Sequence, residues 1–255
     1  MRYIFTALLF YSFLFSFDSA SFKQTLKQDM SPQKLHDISK YLVGSKYTIS
    51  PLGEAKGKDS DPTFRLDRFD CTTFVETSMA LNMSTAVKQA KDILNLIRYD
   101  GDISFQNRRH LPVVLWTKGL IRDGFLKDIT NHFKGFKTIY KQFDPSLLED
   151  ELKSVKIPKQ KYSLNYLPLD KFIKHIKDIP SGTIINVVRK NRANKPIVVT
   201  HQMIYFKEKN KSFFRHASSY PKAEVVDENI KKSIDRFKRF KWPVVGFNLL
   251  LMKLP

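Results

Sequence analysis

Apolar residues recur at helical spacing early in the chain. Leu35, Ile38 and Leu42 share one face after Ser31-Pro32, and Gly44 reads as a stop. Residues 50–63, rich in Gly, Pro, Ser and charge, read as an exposed loop. The spacing then predicts a helix over 71–82, with Asp70 as N-cap, Thr73 and Glu76 at the separation of a capping box, and Phe74, Val75, Met79 and Leu81 on an apolar side. A second helix over about 84–97 turns Ala86, Ala90, Ile93, Leu94 and Ile97 inward. No clean period runs through 98–123, and 141–165 is polar enough for a loop or an edge element. Residues 183–188, 197–206, 212–217 and 244–251 are β-branched or aromatic-rich runs separated by turn residues, and read as strands. Helices early and strands late predict an α+β fold rather than a doubly wound sheet.

The first twenty residues stand apart. Arg2 precedes an uncharged, mostly apolar run from Tyr3 to Phe17, and Ser19-Ala20-Ser21 follows, the order of a secretory signal peptide. The run is shorter than the ~20 residues of a spanning helix, and no later stretch is apolar enough. The expectation is therefore a signal over 1–20, a single catalytic domain over 21–255 with no membrane span, and a location in the periplasm or outside the cell. Removing residues 1–20 takes away one Arg and one Asp, so the net charge of +19 is unchanged. Such a charge attracts polyanions, anionic cell-wall polymer among them. The lysines are scattered and form no basic arm interleaved with stacking aromatics, which argues against a nucleic-acid partner.

Composition changes the picture most through sulfur. The chain has one cysteine, Cys71, and so can form no internal disulfide. Either it is buried and inert or it is kept for chemistry. It opens the predicted 71–82 helix, where partial positive charge and free N–H groups would lower a thiol pKa. A thiolate nucleophile needs a base and an orienting partner. Two of the six histidines, His201 and His216, fall in consecutive predicted strands. Their positions have an odd sum, so a hairpin loop of two or four residues puts them on one face, whereas a three-residue loop would separate them. On that basis His201 is the candidate base and His216 its orienting partner. The histidines show no metal-ligand spacing, and neither metal nor cofactor is expected.

An ordered series of motifs extends these pieces. It runs through Tyr41-Leu42-Val43-Gly44 with Tyr47, Phe69-Asp70-Cys71-Thr72-Thr73-Phe74-Val75-Glu76, Ile97-Arg98-Tyr99-Asp100-Gly101, Arg108-Arg109-His110, Trp116 and Gly124-Phe125-Leu126. It ends with Tyr166-Leu167-Pro168, Ser181-Gly182-Thr183, Thr200-His201 and His216-Ala217-Ser218. Over residues 35 to 250 it resembles the N-acetylmuramoyl-L-alanine amidase-like branch of the NlpC-type papain-like cysteine peptidases and amidases. The resemblance implies N-terminal helices packed on an antiparallel sheet, with Cys71 as nucleophile, His201 as base and His216 as third polar residue. It implies a phenol, Tyr47, that helps hold the oxyanion, and Arg108, His110 and Trp116 on the substrate side.

The implied reaction cleaves the amide between N-acetylmuramic acid and L-alanine in peptidoglycan fragments or muropeptides, through a cysteine acyl-enzyme. A stem-peptide endopeptidase of the same superfamily and an inactive wall-binding module are the alternatives. Two departures stand out. Leu111 follows the R-x-H histidine where the family has an aromatic residue, and Gln202-Met203 follows the base where it has a small Val-Gly pair.

Overall fold

In a computed structural model, residues 19–209 and 211–253 are described. The signal expected over 1–20 lies outside them except for its last two residues, which begin a helix. The helices are α1 (Ser19–Leu26), α2 (Pro32–Lys40), α3 (Cys71–Asn82), α4 (Val87–Arg98), α5 (Lys118–Arg122), α6 (Asp150–Lys153), α7 (Leu169–His175) and α8 (Ile230–Lys238). The strands are β1 (Lys46–Tyr47), β2 (Arg68–Phe69), β3 (Leu126–Asp128), β4 (Lys137–Phe143), β5 (Gln160–Pro168), β6 (Thr183–Arg189), β7 (Val199–Lys207), β8 (Ser212–Ser218), β9 (Glu224–Asn229) and β10 (Val244–Met252). They form one sheet in the order β2-β1-β9-β8-β7-β6-β10-β5-β4, with β3 on β10. Every pairing is antiparallel except β1 with β2. The fold is mixed α+β. No helix among the described residues is long and apolar enough to cross a membrane.

The sheet is covered on both faces. Ile184, Ile204, Phe206, Phe213 and Ala217 pack under Leu35, Ile38, Phe74, Val75 and Leu94 of α2–α4. On the other face Ile185, Met203, Tyr205, Phe214 and Phe247 meet Phe172 of α7 and Ile234 and Phe237 of α8. Double coverage explains why β6 reads as a continuous apolar run instead of alternating. It also explains α3. The sequence shows one apolar side, yet every residue from Thr73 to Asn82 is buried, because the helix is walled in by α2, α4 and the sheet.

Three sequence expectations change here. The capping box of α3 joins Asp70 to Thr73, not Thr73 to Glu76: Thr73 N donates to Asp70 Oδ1 at 2.7 Å and Asp70 N donates to Thr73 Oγ1 at 2.9 Å. Glu76 is spent elsewhere, as described below. The loop over 50–63 is not wholly exposed; Leu52, Gly53 and Glu54 are buried. Arg98 donates to Leu52 O and Tyr99 to Gly53 O, both at 3.0 Å, and Arg108 grips Glu54. The second helix starts at Val87, so Ala86 is its exposed N-cap and not part of its inward face. The unreadable stretch before residue 123 contains a π-helical turn, Pro112–Thr117, that runs into α5. In the polar 141–165 region, β4 is the edge strand paired along its length with β5.

Candidate active site

Cys71 is the first residue of α3, held there by the Asp70 cap. Strand β1 runs parallel to β2 with Tyr47 opposite Phe69, which brings Tyr47 beside the Asp70-Cys71 junction. Strand β7 supplies the rest. Its pairing with β8 runs from Lys207–Ser212 to Ile204–Arg215 and stops there, and the joining loop has four residues. In the same stretch its register with β6 shifts between Asn186–Gln202 and Val188–Val199. Thr200 and His201 thus stand opposite the single Val187, a β-bulge that breaks the in–out alternation at His201. The start of α3 meets β7 at this opening, with the Gln202 backbone N–H facing the Cys71 sulfur.

The two histidines meet diagonally across the parted strands, as the four-residue loop requires. Their rings lie edge to face, with His201 Nε2 2.8 Å from His216 Nδ1. His216 is buried and His201 half-buried. Beyond them lies a residue the sequence reasoning did not single out. Glu228 Oε2 is 3.3 Å from His216 Nε2, and the same carboxylate accepts from Ser233 Oγ at 2.6 Å and from Arg236 Nη2 at 2.6 Å. The available signal was alternation. Val226 of β9 pairs with His216, which puts Glu228 two residues on, on the same face.

The electrostatics contradict one expectation. Burial pushes the Cys71 thiol up to about 12, the neighbouring Asp70 carboxylate adds to it, and the bonds from Gln202 and Thr72 only partly offset this. A helix N-terminus favours a thiolate when its partial charge is unopposed. Here the N-cap is itself an anion and takes one of the free N–H groups, so the resting sulfur is a thiol. Burial, then the charges of His216, Arg236 and Arg189, hold His201 well below the ordinary imidazole value, against the pull of Glu228. Burial and the charges of Cys71 and Asp70 raise the Tyr47 phenol to about 12, so it remains a proton donor at neutral pH.

A pH dependence follows. A base works in its unprotonated form, and a lowered pKa moves its protonation to more acid solution. The acid limb of kcat/KM is expected below about pH 6.5, the ordinary imidazole value. Iodoacetamide alkylation of Cys71, the one thiol, is expected to climb through pH 9 with no plateau below it. An acid limb above 7, or alkylation already at its maximum at pH 7, would contradict this charge arrangement.

The other sequence candidates are each engaged with protein groups. Arg108 is buried, donating to Glu54 Oε1 at 2.5 Å and to Asp59 Oδ2 at 2.8 Å, so it fastens the 50–63 loop. His110 is half-buried with Nε2 2.7 Å from Phe105 O, and burial lowers its pKa to about 4. Trp116 is fully buried and donates from Nε1 to Glu76 Oε1 at 2.9 Å. Gln202, at the family departure, is buried and tied to Asn186 Oδ1 at 2.9 Å. Asn186 in turn donates to Asn248 at 3.0 Å, so an amide ladder braces the strand that carries His201. No group of three or more His, Cys, Asp or Glu among the described residues is placed to hold a metal.

The family model for N-acetylmuramoyl-L-alanine amidase-like proteins matches residues 37–239, a span that includes Cys71, His201, His216 and Glu228. The chain belongs to this family. Among solved structures, a Legionella pneumophila protein of the DUF1460 family superposes with a TM-score of 0.81 at 22% identity, over 92% of this chain and 94% of that one. An N-acetylmuramoyl-L-alanine amidase from Bacteroides uniformis gives a TM-score of 0.70 at 23% identity, over 87% of this chain and 98% of its own. At such identities the likeness is one of fold. No curated protein matches the chain.

Proposed function

We propose that the chain is an exported cysteine amidase of the NlpC-type papain-like kind, cleaving the amide between N-acetylmuramic acid and L-alanine in peptidoglycan fragments. The observation that carries this reading is the His201–His216 contact of 2.8 Å at the opening where the Gln202 backbone meets the Cys71 sulfur. Family membership over residues 37–239 supports the choice of bond.

In this reading the resting pair is neutral. As Cys71 Sγ attacks the lactyl carbonyl carbon, its proton passes to His201 Nδ1, the ring nitrogen not engaged by His216. The developing oxyanion is held by the Cys71 backbone N–H at the helix start and by the Tyr47 hydroxyl. The imidazolium then protonates the leaving nitrogen of the peptide, leaving a thioester on Cys71. Water gives its proton to His201 and attacks the thioester, releasing the muramoyl carboxylate. Arg108 and Trp116 support the site from behind, through the 50–63 loop and through Glu76 of α3, and His110 holds the turn at Phe105. Residues 1–20 act as the export signal, residues 21–255 form the one catalytic domain, and the basic surface suits an anionic wall.

Defined muropeptides and mass analysis of the products test this. Free N-acetylmuramic acid with an intact stem peptide is the expected result. A shortened stem peptide would instead make the chain an endopeptidase. No cleavage of any muropeptide by a folded sample would leave a binding module.

A further inference from the structure

The ring nitrogen Nε2 of His216 is buried without a well-formed hydrogen bond. The acceptor set against it is Glu228 Oε2 at 3.3 Å. Glu228 is anchored on three further contacts: Ser233 Oγ at 2.6 Å, Arg236 Nη2 at 2.6 Å and Arg236 Nε at 3.2 Å. Burial alone would raise its pKa, but the hydrogen bonds from His216, Arg236 and Ser233 and the Arg236 charge hold it well below the ordinary carboxylate range. It is therefore a carboxylate, which accepts hydrogen bonds and donates none.

That asymmetry propagates. If His216 carried its proton on Nδ1, its Nε2 lone pair would face the carboxylate in a buried space. His201 Nε2 would then have to accept, and His201 would carry its proton on Nδ1, where it has no lone pair to offer a thiol. With the proton on His216 Nε2 each link is satisfied. His216 Nε2–H donates to Glu228, His216 Nδ1 accepts from His201 Nε2–H at 2.8 Å, and His201 Nδ1 is left unprotonated.

We propose that Glu228 is a positioning residue that sets the tautomer of both imidazoles through His216, and that its charge stabilises the imidazolium formed when His201 takes the Cys71 proton. The inference rests on the proposed role of His201 as base. It adds that a carboxylate on β9, fixed by α8, decides which nitrogen does the work. The charged groups that act on the ring pair are Arg189 on β6, Glu228 on β9 and Arg236 on α8. Of these, Glu228 pulls the His201 pKa upward. The 3.3 Å contact is long for a hydrogen bond to a carboxylate and strengthens once the rings share an extra proton.

Two measurements on the full chain test this without a peptidoglycan substrate, so their outcome is separate from that of the muropeptide assay. The first is the 15N spectrum of histidine-labelled wild-type protein at about pH 8, above the ordinary imidazole range. Both His201 and His216 are expected to be protonated at Nε2 and unprotonated at Nδ1. A proton on Nδ1 of His216 overturns the proposal whatever any variant does. The second is the rate of iodoacetamide alkylation of Cys71 against pH in the wild type and in Glu228→Gln and Glu228→Ala. Glu228→Gln keeps an acceptor oxygen and loses the charge. It is expected to slow alkylation at neutral pH about 10-fold, with Glu228→Ala slower again. A folded Glu228→Gln protein with the wild-type alkylation rate overturns the charge role. Should the variants not fold, the wild-type spectrum still decides.

Discussion

Replacing Cys71 with alanine is expected to lower kcat by about 10,000-fold or more, with the protein still folded. Removing the nucleophile of a linked nucleophile–base set abolishes the covalent route, and the remaining parts do little by themselves. That factor corresponds to about 5 kcal/mol of transition-state stabilisation. Stability should change little. The cap hydrogen bonds of α3 belong to Asp70 and Thr73, not to Cys71, and the chain has no disulfide to lose. KM, or the binding of an uncleaved muropeptide by calorimetry, should stay near the wild-type value, since the oxyanion donors remain. Measured turnover within a factor of ten of wild type would show that sulfur is not the attacking atom.

The second large effect is on folding. Glu76 is buried on α3, with Arg98 Nη1 2.5 Å from one carboxylate oxygen and Trp116 Nε1 2.9 Å from the other. Burial pushes the Glu76 pKa up even against the Arg98 charge, so taking this carboxylate out of water is costly. For such a pair the intact state adds little stability over an apolar packing, whereas removing one partner strands the other charge. Glu76→Ala is therefore expected to destabilise by about 3–5 kcal/mol. At roughly 2–4 °C per kcal/mol for a chain of this size, Tm falls by about 10 °C. Urea unfolding checks the free energy, and adding Arg98→Met should recover part of it because the stranded guanidinium is gone. A Tm within about 2 °C of wild type for Glu76→Ala would mean that the pair does not hold the nucleophile helix in place.

Parts of this molecule are legible from local chemistry. Asp70 before an apolar run fixes the start of α3 and hence the address of Cys71, because a cap is a contact between near neighbours. The hairpin parity of His201 and His216 is legible for the same reason, since a short loop sets the register. What escapes the sequence is long-range. Glu76 sits at capping-box spacing from Thr73 but is drawn away by Arg98 and Trp116, 22 and 40 residues on. The 50–63 loop looks solvated by composition, and only the folded chain brings Arg108 against Glu54. Ile230, Ile234 and Phe237 of α8 do stand at helical spacing, but nothing local says that Glu228 and Arg236 meet His216. The thiol departs from the helix-start expectation because burial, and then the charge of its own cap, outweigh the free N–H groups.

That last feature has a bearing on durability. A lone sulfur in an oxidising setting is exposed to peroxide and to disulfide exchange, both of which act on the thiolate. Burial and Asp70 hold the sulfur as a thiol, and on the proposed mechanism it stays so until a substrate carbonyl and His201 draw the proton off. The arrangement gives up resting reactivity, and in return the nucleophile is chemically quiet between turnovers. The chain has no second cysteine to regenerate that sulfur, so on the proposed mechanism its protection is to stay inert until substrate arrives.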